Sequence, residues 1–164
     1  MRAVIQRVIN ASVQVEGRIA GHIGSPPEAR PRQKAGGLLI YLSVGKADGE
    51  KDAEFMAEKI SGLRVFSDPA GKMNLSVQDI GGEVLIVSNF TLHGDCRKGR
   101  RPGFDAAAEP GLARVLYEKA AKLIADKGIR VAEGIFGANM QVSSVNDGPV
   151  TFILDSREQS QPKL

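Results

Sequence analysis

Glu83-Val84-Leu85-Ile86-Val87-Ser88-Asn89-Phe90-Thr91-Leu92 is the stretch on which the reading of this chain turns. An apolar run follows the chain-breaking Gly81-Gly82 and ends in hydroxyl and amide side chains, so it reads as a buried strand that delivers Ser88. Working outward, residues 2–9 read as another buried strand, and residues 12–15 and 18–23 flank Glu16-Gly17 as a hairpin. Residues 38–44 form a strongly apolar strand, residues 63–66 a short one, and residues 67–72 a turn before Met73-Asn74-Leu75. Residues 129–133, 140–145 and 150–154 also read as strands. Residues 50–60 read as a helix, because Ala53, Met56, Ala57 and Ile60 recur at helical spacing; Met56 is core there rather than a ligand. A second helix opens near Glu109-Pro110, with proline in its first turn, and runs to Lys127, where Gly128 stops it. Its predicted buried stripe is Leu112, Val115, Leu116, Ala120, Leu123 and Ile124. Many strands, two helices and no alternating βαβ register predict a mixed sheet with helices on one side, not a doubly wound fold.

The 164 residues suit one domain with a real core, and 42% apolar with 25% charged residues is the composition of a soluble globular protein. No stretch approaches the roughly 18 apolar residues of a membrane span, and Arg7 interrupts any signal-peptide core. Cys96, the one cysteine, cannot form an internal disulfide, so a cytoplasmic setting is expected. A net charge of +3 does not by itself demand nucleic acid. Its distribution says more: Arg97, Lys98, Arg100 and Arg101 cluster with no acidic residue among them. Such a cluster reads either as a solvated loop or as a phosphate-contacting surface, which adds affinity with little sequence choice. Ser25-Pro26-Pro27-Glu28-Ala29-Arg30-Pro31-Arg32-Gln33-Lys34 reads as a surface loop. The polar stretch from residue 156 to 164 reads as a disordered tail.

Several chemistries fall away. His93, Asp95 and Cys96 cluster, but their spacing matches no zinc pattern, so no metal is expected. Ser88 and His93 lie close in sequence, yet Gly-x-Ser-x-Gly is absent and a serine at a strand end ordinarily satisfies backbone groups. Neither a Walker loop nor a dinucleotide fingerprint is present. Two segments survive. Ser88 to Leu92 ends a strand where backbone N–H groups point outward, as an oxyanion requires. Asn146-Asp147-Gly148-Pro149-Val150-Thr151 reads on its own as a turn.

In this order, with Arg97-Lys98-Gly99-Arg100-Arg101-Pro102 between them, the two segments resemble the D-aminoacyl-tRNA deacylase family. Residues 1–8, Gly71-Lys72-Met73-Asn74-Leu75-Ser76 and Phe136-Gly137-Ala138-Asn139-Met140-Gln141-Val142 carry the likeness further, from residue 1 to about 155. The resemblance implies an α/β fold, a single three-layer domain with a strongly curved mixed β-sheet and two main helices. It implies hydrolysis of the ester of D-aminoacyl-tRNA and of mischarged glycyl-tRNA, as chiral proofreading in translation. Ser88, Asn89, Phe90 and Thr91 would be catalytic. Phe136, Gly137 and Met140 would hold the terminal adenosine, and Arg97, Lys98, Arg100 and Arg101 the tRNA backbone. A cis Gly148-Pro149 unit would reach the partner subunit of a homodimer and reject L-amino acids. The implied partner is tRNA, with no cofactor, no metal, no membrane and no DNA. Either the Thr91 hydroxyl or the ribose 2′-hydroxyl of tRNA would activate the attack, and the family implies the latter.

Two departures stand out. The family typically carries Ser-Gln-x-Thr-Leu where this chain has Asn89, one methylene shorter. It also joins the strands flanking residues 25–36 tightly, so that segment is an insertion, either decorative or adding basic contacts through Arg30, Arg32 and Lys34. The alternative reading, resting on Asn89 and the basic loop, is a non-catalytic tRNA-binding protein on the same fold.

Overall fold

The computed structural model describes residues 1–24 and 36–160. In chain order the elements are β1 (Arg2–Val15), β2 (Arg18–Gly24), β3 (Gly37–Ser43), α1 (Glu50–Gly62), β4 (Phe66–Ser67), β5 (Met73–Leu75), β6 (Glu83–Ser88), α2 (Pro110–Ala125), β7 (Arg130–Glu133) and β8 (Gln141–Asp155). Two 3-10 turns, Phe90–His93 and Ser156–Ser160, complete the set.

β1 organises the sheet. Its first half pairs antiparallel with β3, from Arg2↔Ser43 to Val8↔Gly37, and its second half pairs with β2, from Asn10↔Gly24 to Val15↔Arg18. It also pairs with β8, from Arg2↔Asp155 to Gln14↔Gln141. β3, β6 and β7 run parallel to one another, giving the order β2-β1-β3-β6-β7 with β8 on β1. The sheet curls until it nearly closes. β2 swings back on β7 so tightly that a Cβ on Gly21 would lie 2.5 Å from the Glu133 carbonyl oxygen, and only glycine fits there.

The curl divides the core in two, and β3 supplies both parts. Leu38, Ile40 and Leu42 face the helices, where they meet Met56, Ile60, Leu116 and Ile124. Leu39 faces the inside of the curve with Val8, Ala11, Val13, Ile23, Leu85 and Val87. Strands buried on both faces read as unbroken apolar runs, which is how residues 38–44 and 83–87 appear in the sequence. The mixed curved sheet and two helices are those the resemblance implied.

Several boundaries differ from the sequence reading. The two strands expected before residue 16 are one strand, β1. The strand expected over residues 63–66 is shifted to Phe66–Ser67, paired with β5. α2 ends at Ala125, and Leu112 and Val115 are 41% and 61% exposed. Tyr117 and Ala121 take their place, because the Tyr117 hydroxyl reaches β6 and donates to Ile86 O at 3.0 Å, which sets the rotation of the helix. The strands expected at 140–145 and 150–154 are one element, β8, whose register on β1 slips around residues 146–151. Residue 156 does not begin a loose tail. Ser156 is buried, its N–H donates to Met1 O at 2.9 Å, and its hydroxyl accepts from the Met1 amine. Most of the expected insertion, residues 25–35, lies outside the described residues, as do residues 161–164.

Candidate active site

Strands β3 and β6 lie side by side and end together, and beyond their C-terminal ends the chain opens into a cleft of about 790 Å³. The C-terminal edge of parallel strands is where open α/β sheets ordinarily bind ligands, since departing loops splay apart there. One wall is Ser88, Asn89 and Phe90; another is Phe136, Gly137 and Met140. Two clusters distant in the sequence thus share one cavity.

Asn89 organises the first wall. Its N–H donates to Leu42 O at 2.8 Å, tying the chain to β3 as it leaves β6. Its side-chain oxygen accepts from the Thr91 hydroxyl at 2.5 Å and from the Thr91 N–H at 3.3 Å, capping the turn that follows. The expected pair of free backbone donors is therefore reduced: the Thr91 N–H is engaged, whereas the Phe90 N–H makes no hydrogen bond among the described residues. The Phe90 ring is 58% exposed and meets Phe104 edge-on, with centroids 5.0 Å apart, which makes an apolar rim.

On the second wall the Met140 sulfur packs against bare Cα surface, 2.6 Å from where a Cβ on Gly134 would stand. Phe136 lies between Tyr117, at 5.7 Å between ring centroids, and the Arg114 guanidinium, 5.4 Å from its centroid. Burial, reinforced by the charge of Glu133, pushes the Tyr117 hydroxyl far above its usual range, so it stays protonated. Burial also raises the Glu133 carboxyl. Tyr41, Lys46, Asp105 and Glu109 also line the cleft. Sequence reasoning missed these four and Phe104, because each comes from a segment with no local motif and only the fold brings them together.

Thr91 follows the wall without lining the cleft. The basic segment hangs beside it as a loop closed by backbone bonds between Asp95 and Gly103. Arg97 is turned back on Asp95, with Nη2 2.7 Å from Oδ2, and that contact holds the Asp95 carboxyl at about 2. Lys98, Arg100 and Arg101 are exposed and have no ion-pair partner among the described residues.

Gly148 and Pro149 do not line the cleft of their own chain. They lie in the interruption of β8, joined by a cis peptide bond. The Asn146 side-chain amide donates to Arg7 O at 2.9 Å and Val150 O at 3.1 Å, pinning both ends of the loop. Arg7 donates from Nη1 to Val65 O at 2.7 Å. Its Nε sits 3.0 Å from Asp147 Oδ2, an ion pair by distance without hydrogen-bond alignment. Gly148 has φ +129°, and a Cβ there would lie 2.6 Å from Val150 Cγ2. Among the described residues no three His, Cys, Asp or Glu side chains converge as metal ligands. No helix there is long and apolar enough to cross a membrane.

A family model described as D-Tyr-tRNA(Tyr) deacylase matches residues 4–155. A protein of Thermosipho africanus named D-aminoacyl-tRNA deacylase is 53% identical over 158 residues, 96% of this chain and 99% of that protein. One of Koribacter versatilis with the same name is 55% identical over 159 residues, 97% and 99% of the two chains. Among solved structures, one named c-Myc DNA Unwinding Element Binding Protein superposes with a TM-score of 0.82 at 38% identity, covering 94% of this chain and 98% of that one. Another, described as a probable eukaryotic D-amino acid tRNA deacylase, shares the fold with a TM-score of 0.75 at 15% identity, over 93% and 97% of the chains.

Proposed function

The chain belongs to the D-Tyr-tRNA(Tyr) deacylase family, and on that premise we propose that it hydrolyses the ester joining a D-amino acid to the terminal ribose of tRNA. The observation that carries this reading is the cleft itself, which Ser88, Asn89 and Phe90 line together with Phe136, Gly137 and Met140. The adenine ring lies against Phe136 and Met140, as RNA ends are held by stacking and apolar contact. The ester then falls beside the Phe90 N–H, a fixed donor for the oxyanion of the tetrahedral intermediate.

The Thr91 hydroxyl donates its hydrogen bond to an amide oxygen, and an amide is no base to activate it. Thr91 therefore positions Asn89, and the ribose 2′-hydroxyl assists the attacking water. The Asn89 amide nitrogen is left to face substrate, one methylene further back than a glutamine would hold it.

Selection against L-amino acids falls to Gly148-Pro149 of a second copy. Rejecting them by about 10⁴ requires roughly 5.5 kcal/mol. One methylene in an apolar pocket discriminates by only about 1–3 kcal/mol, too little and dependent on which side chain is bound. A stiff peptide unit placed where any L side chain projects rejects them all, and lets glycine pass. The anchoring of the loop by Asn146 and Arg7 supports such rigidity. A two-fold pair is supported by β8, whose Val145, Phe152 and Ile153 are exposed apolar residues. Proofreading of mischarged tRNA in the cytoplasm is the role this activity serves.

Side-by-side deacylation of D-tyrosyl-, L-tyrosyl- and glycyl-tRNA tests the proposal. Release from the first and third with the second spared is expected; D-tyrosyl-tRNA left at its spontaneous rate ends it. A second reading, nucleic-acid binding without turnover, rests on Asn89 and the basic loop, and the 38%-identical structure is named for binding a DNA element. Retained tRNA or DNA binding with no amino acid released would select that reading.

A further inference from the structure

The Phe90–His93 turn is fastened at both ends. At its start stands the Asn89–Leu42 bond. At its end the His93 imidazole is turned inward, 4% exposed, with Nδ1 2.6 Å from the Ser43 hydroxyl. Ser43 is the last residue of β3, is itself buried, and lines the cleft. A single side-chain bond therefore links the far end of the turn to the strand beneath its beginning. The ring has no slack: a Cβ on Gly45 would lie 2.9 Å from His93 Nε2 and 3.2 Å from Asp48 Oδ2.

Resting on the deacylase reading, we propose that His93 is a positioning residue for that reaction: as a neutral imidazole bonded to Ser43 it holds the turn that presents the Phe90 N–H and Thr91, and taking up a proton releases it.

The surroundings explain the sensitivity. From β1, the Arg2 guanidinium donates to Leu92 O at 3.2 Å, in the residue before the ring, and the Met1 α-ammonium ahead of that strand adds its positive charge. From the turn after β8, Arg157 adds a third positive charge. Asp48, from the loop after β3, is the opposing charge, but it already holds the Met1 amine at 2.7 Å and the Gly45 N–H at 2.5 Å. Asp52, 4.0 Å from the Met1 amine, and Asp155, bonded to both Arg2 and Arg157, are likewise engaged. Burial first, then Arg2, lowers the His93 pKa below the usual 6.5, so the ring is neutral at neutral pH. In the tautomer whose Nδ1 accepts from Ser43, a proton added at Nδ1 forces the Ser43 hydroxyl to turn from donor to acceptor.

The test compares wild type, His93→Gln, His93→Ala and Ser43→Ala in turnover of D-tyrosyl-tRNA from acidic to neutral pH. His93→Ala should lower kcat by roughly ten- to a hundredfold with little change in KM, as misplaced groups do. His93→Gln, which can still bond Ser43 but cannot titrate, should restore most of that loss. The wild-type to His93→Gln ratio of kcat, in which ionisation of the substrate amine cancels, should fall as one proton binds below the usual histidine range. Ser43→Ala should shift that midpoint. The chain has 2 histidines, so NMR resolves the His93 titration, and the Phe90 and Thr91 amide signals should move with it in wild type but not in His93→Gln. A pH-independent ratio, or amide signals indifferent to His93, overturns the proposal. If wild type releases no amino acid, the deacylase reading fails, and the amide signals alone decide whether His93 holds the turn.

Discussion

At the scale of single residues, Thr91 is the sharpest case. Its hydroxyl is a natural candidate for attack when read beside Ser88 in the sequence, yet it donates to the Asn89 side-chain oxygen Oδ1. Thr91→Ala should therefore slow deacylation by about tenfold, the effect of a lost positioning bond of roughly 1.4 kcal/mol, and not abolish it. Thr91→Ser should stay near wild type. Single-turnover rates on D-tyrosyl-tRNA decide the matter, and loss of all turnover in the alanine variant would restore Thr91 as nucleophile. Ser88, Asn89 and Phe90 were legible because they end an apolar run. Tyr41, Lys46 and Phe104 were not, because a residue that lines a cavity only through the folding of three segments leaves no periodic trace.

At the scale of elements, local pattern found both helices and the strands of the main sheet but not the short β5, and tertiary packing then set their limits. Leu112 and Val115 fit a helical stripe with Leu116 and Ala120, but the Tyr117 bond to Ile86 O turns that edge outward. The late strands read as two because Asn-Asp-Gly-Pro is turn chemistry, and β1 holds both halves in one ladder across the slip. The loop after the Phe90–His93 turn is an element with its own prediction. Arg97 is largely cancelled by Asp95, so phosphate attraction rests on Lys98, Arg100 and Arg101. Lys98→Ala with Arg100→Ala should weaken tRNA binding and reduce the slope of log affinity against log salt by about 1 to 2. Titration at several salt concentrations measures it, and an unchanged slope removes this loop from the RNA surface.

Two predictions belong to the whole molecule. The first is acid sensitivity in two steps. His93 has a folded pKa below its unfolded value, so the native state resists its proton while the unfolded chain accepts one. Stability is full above 6.5 and falls as pH drops from there toward the folded value. Asp155 is held far below 3.8, chiefly by Arg157 and also by Arg2, against the opposing effect of burial. Its contribution is present above the usual carboxylate value and is lost as pH falls through the folded one. Urea midpoints across pH should show His93→Gln flattening the upper step alone and Asp155→Asn the lower alone. The second concerns pairing. Ile153 is 80% exposed on β8. If a second copy covers that strand, Ile153→Asp should lower the sedimenting mass by half at micromolar concentration and depress turnover with it, since each cleft would lose its neighbour's Gly148-Pro149. Unchanged mass would place the covered face elsewhere.

The ladder between β1 and β8 has a consequence for how the protein is made. Arg2 and Asp155 are hydrogen-bonded partners separated by 153 positions. On the ribosome, β1 emerges well over a hundred residues ahead of the strand that covers its edge and must wait for it. Until then that edge offers unpaired backbone groups to any nascent neighbour, as slow, non-local sheets do. Chains stalled before residue 141 should accordingly be chaperone-bound or aggregated, and release of the final strand should be the event that renders them protease-resistant.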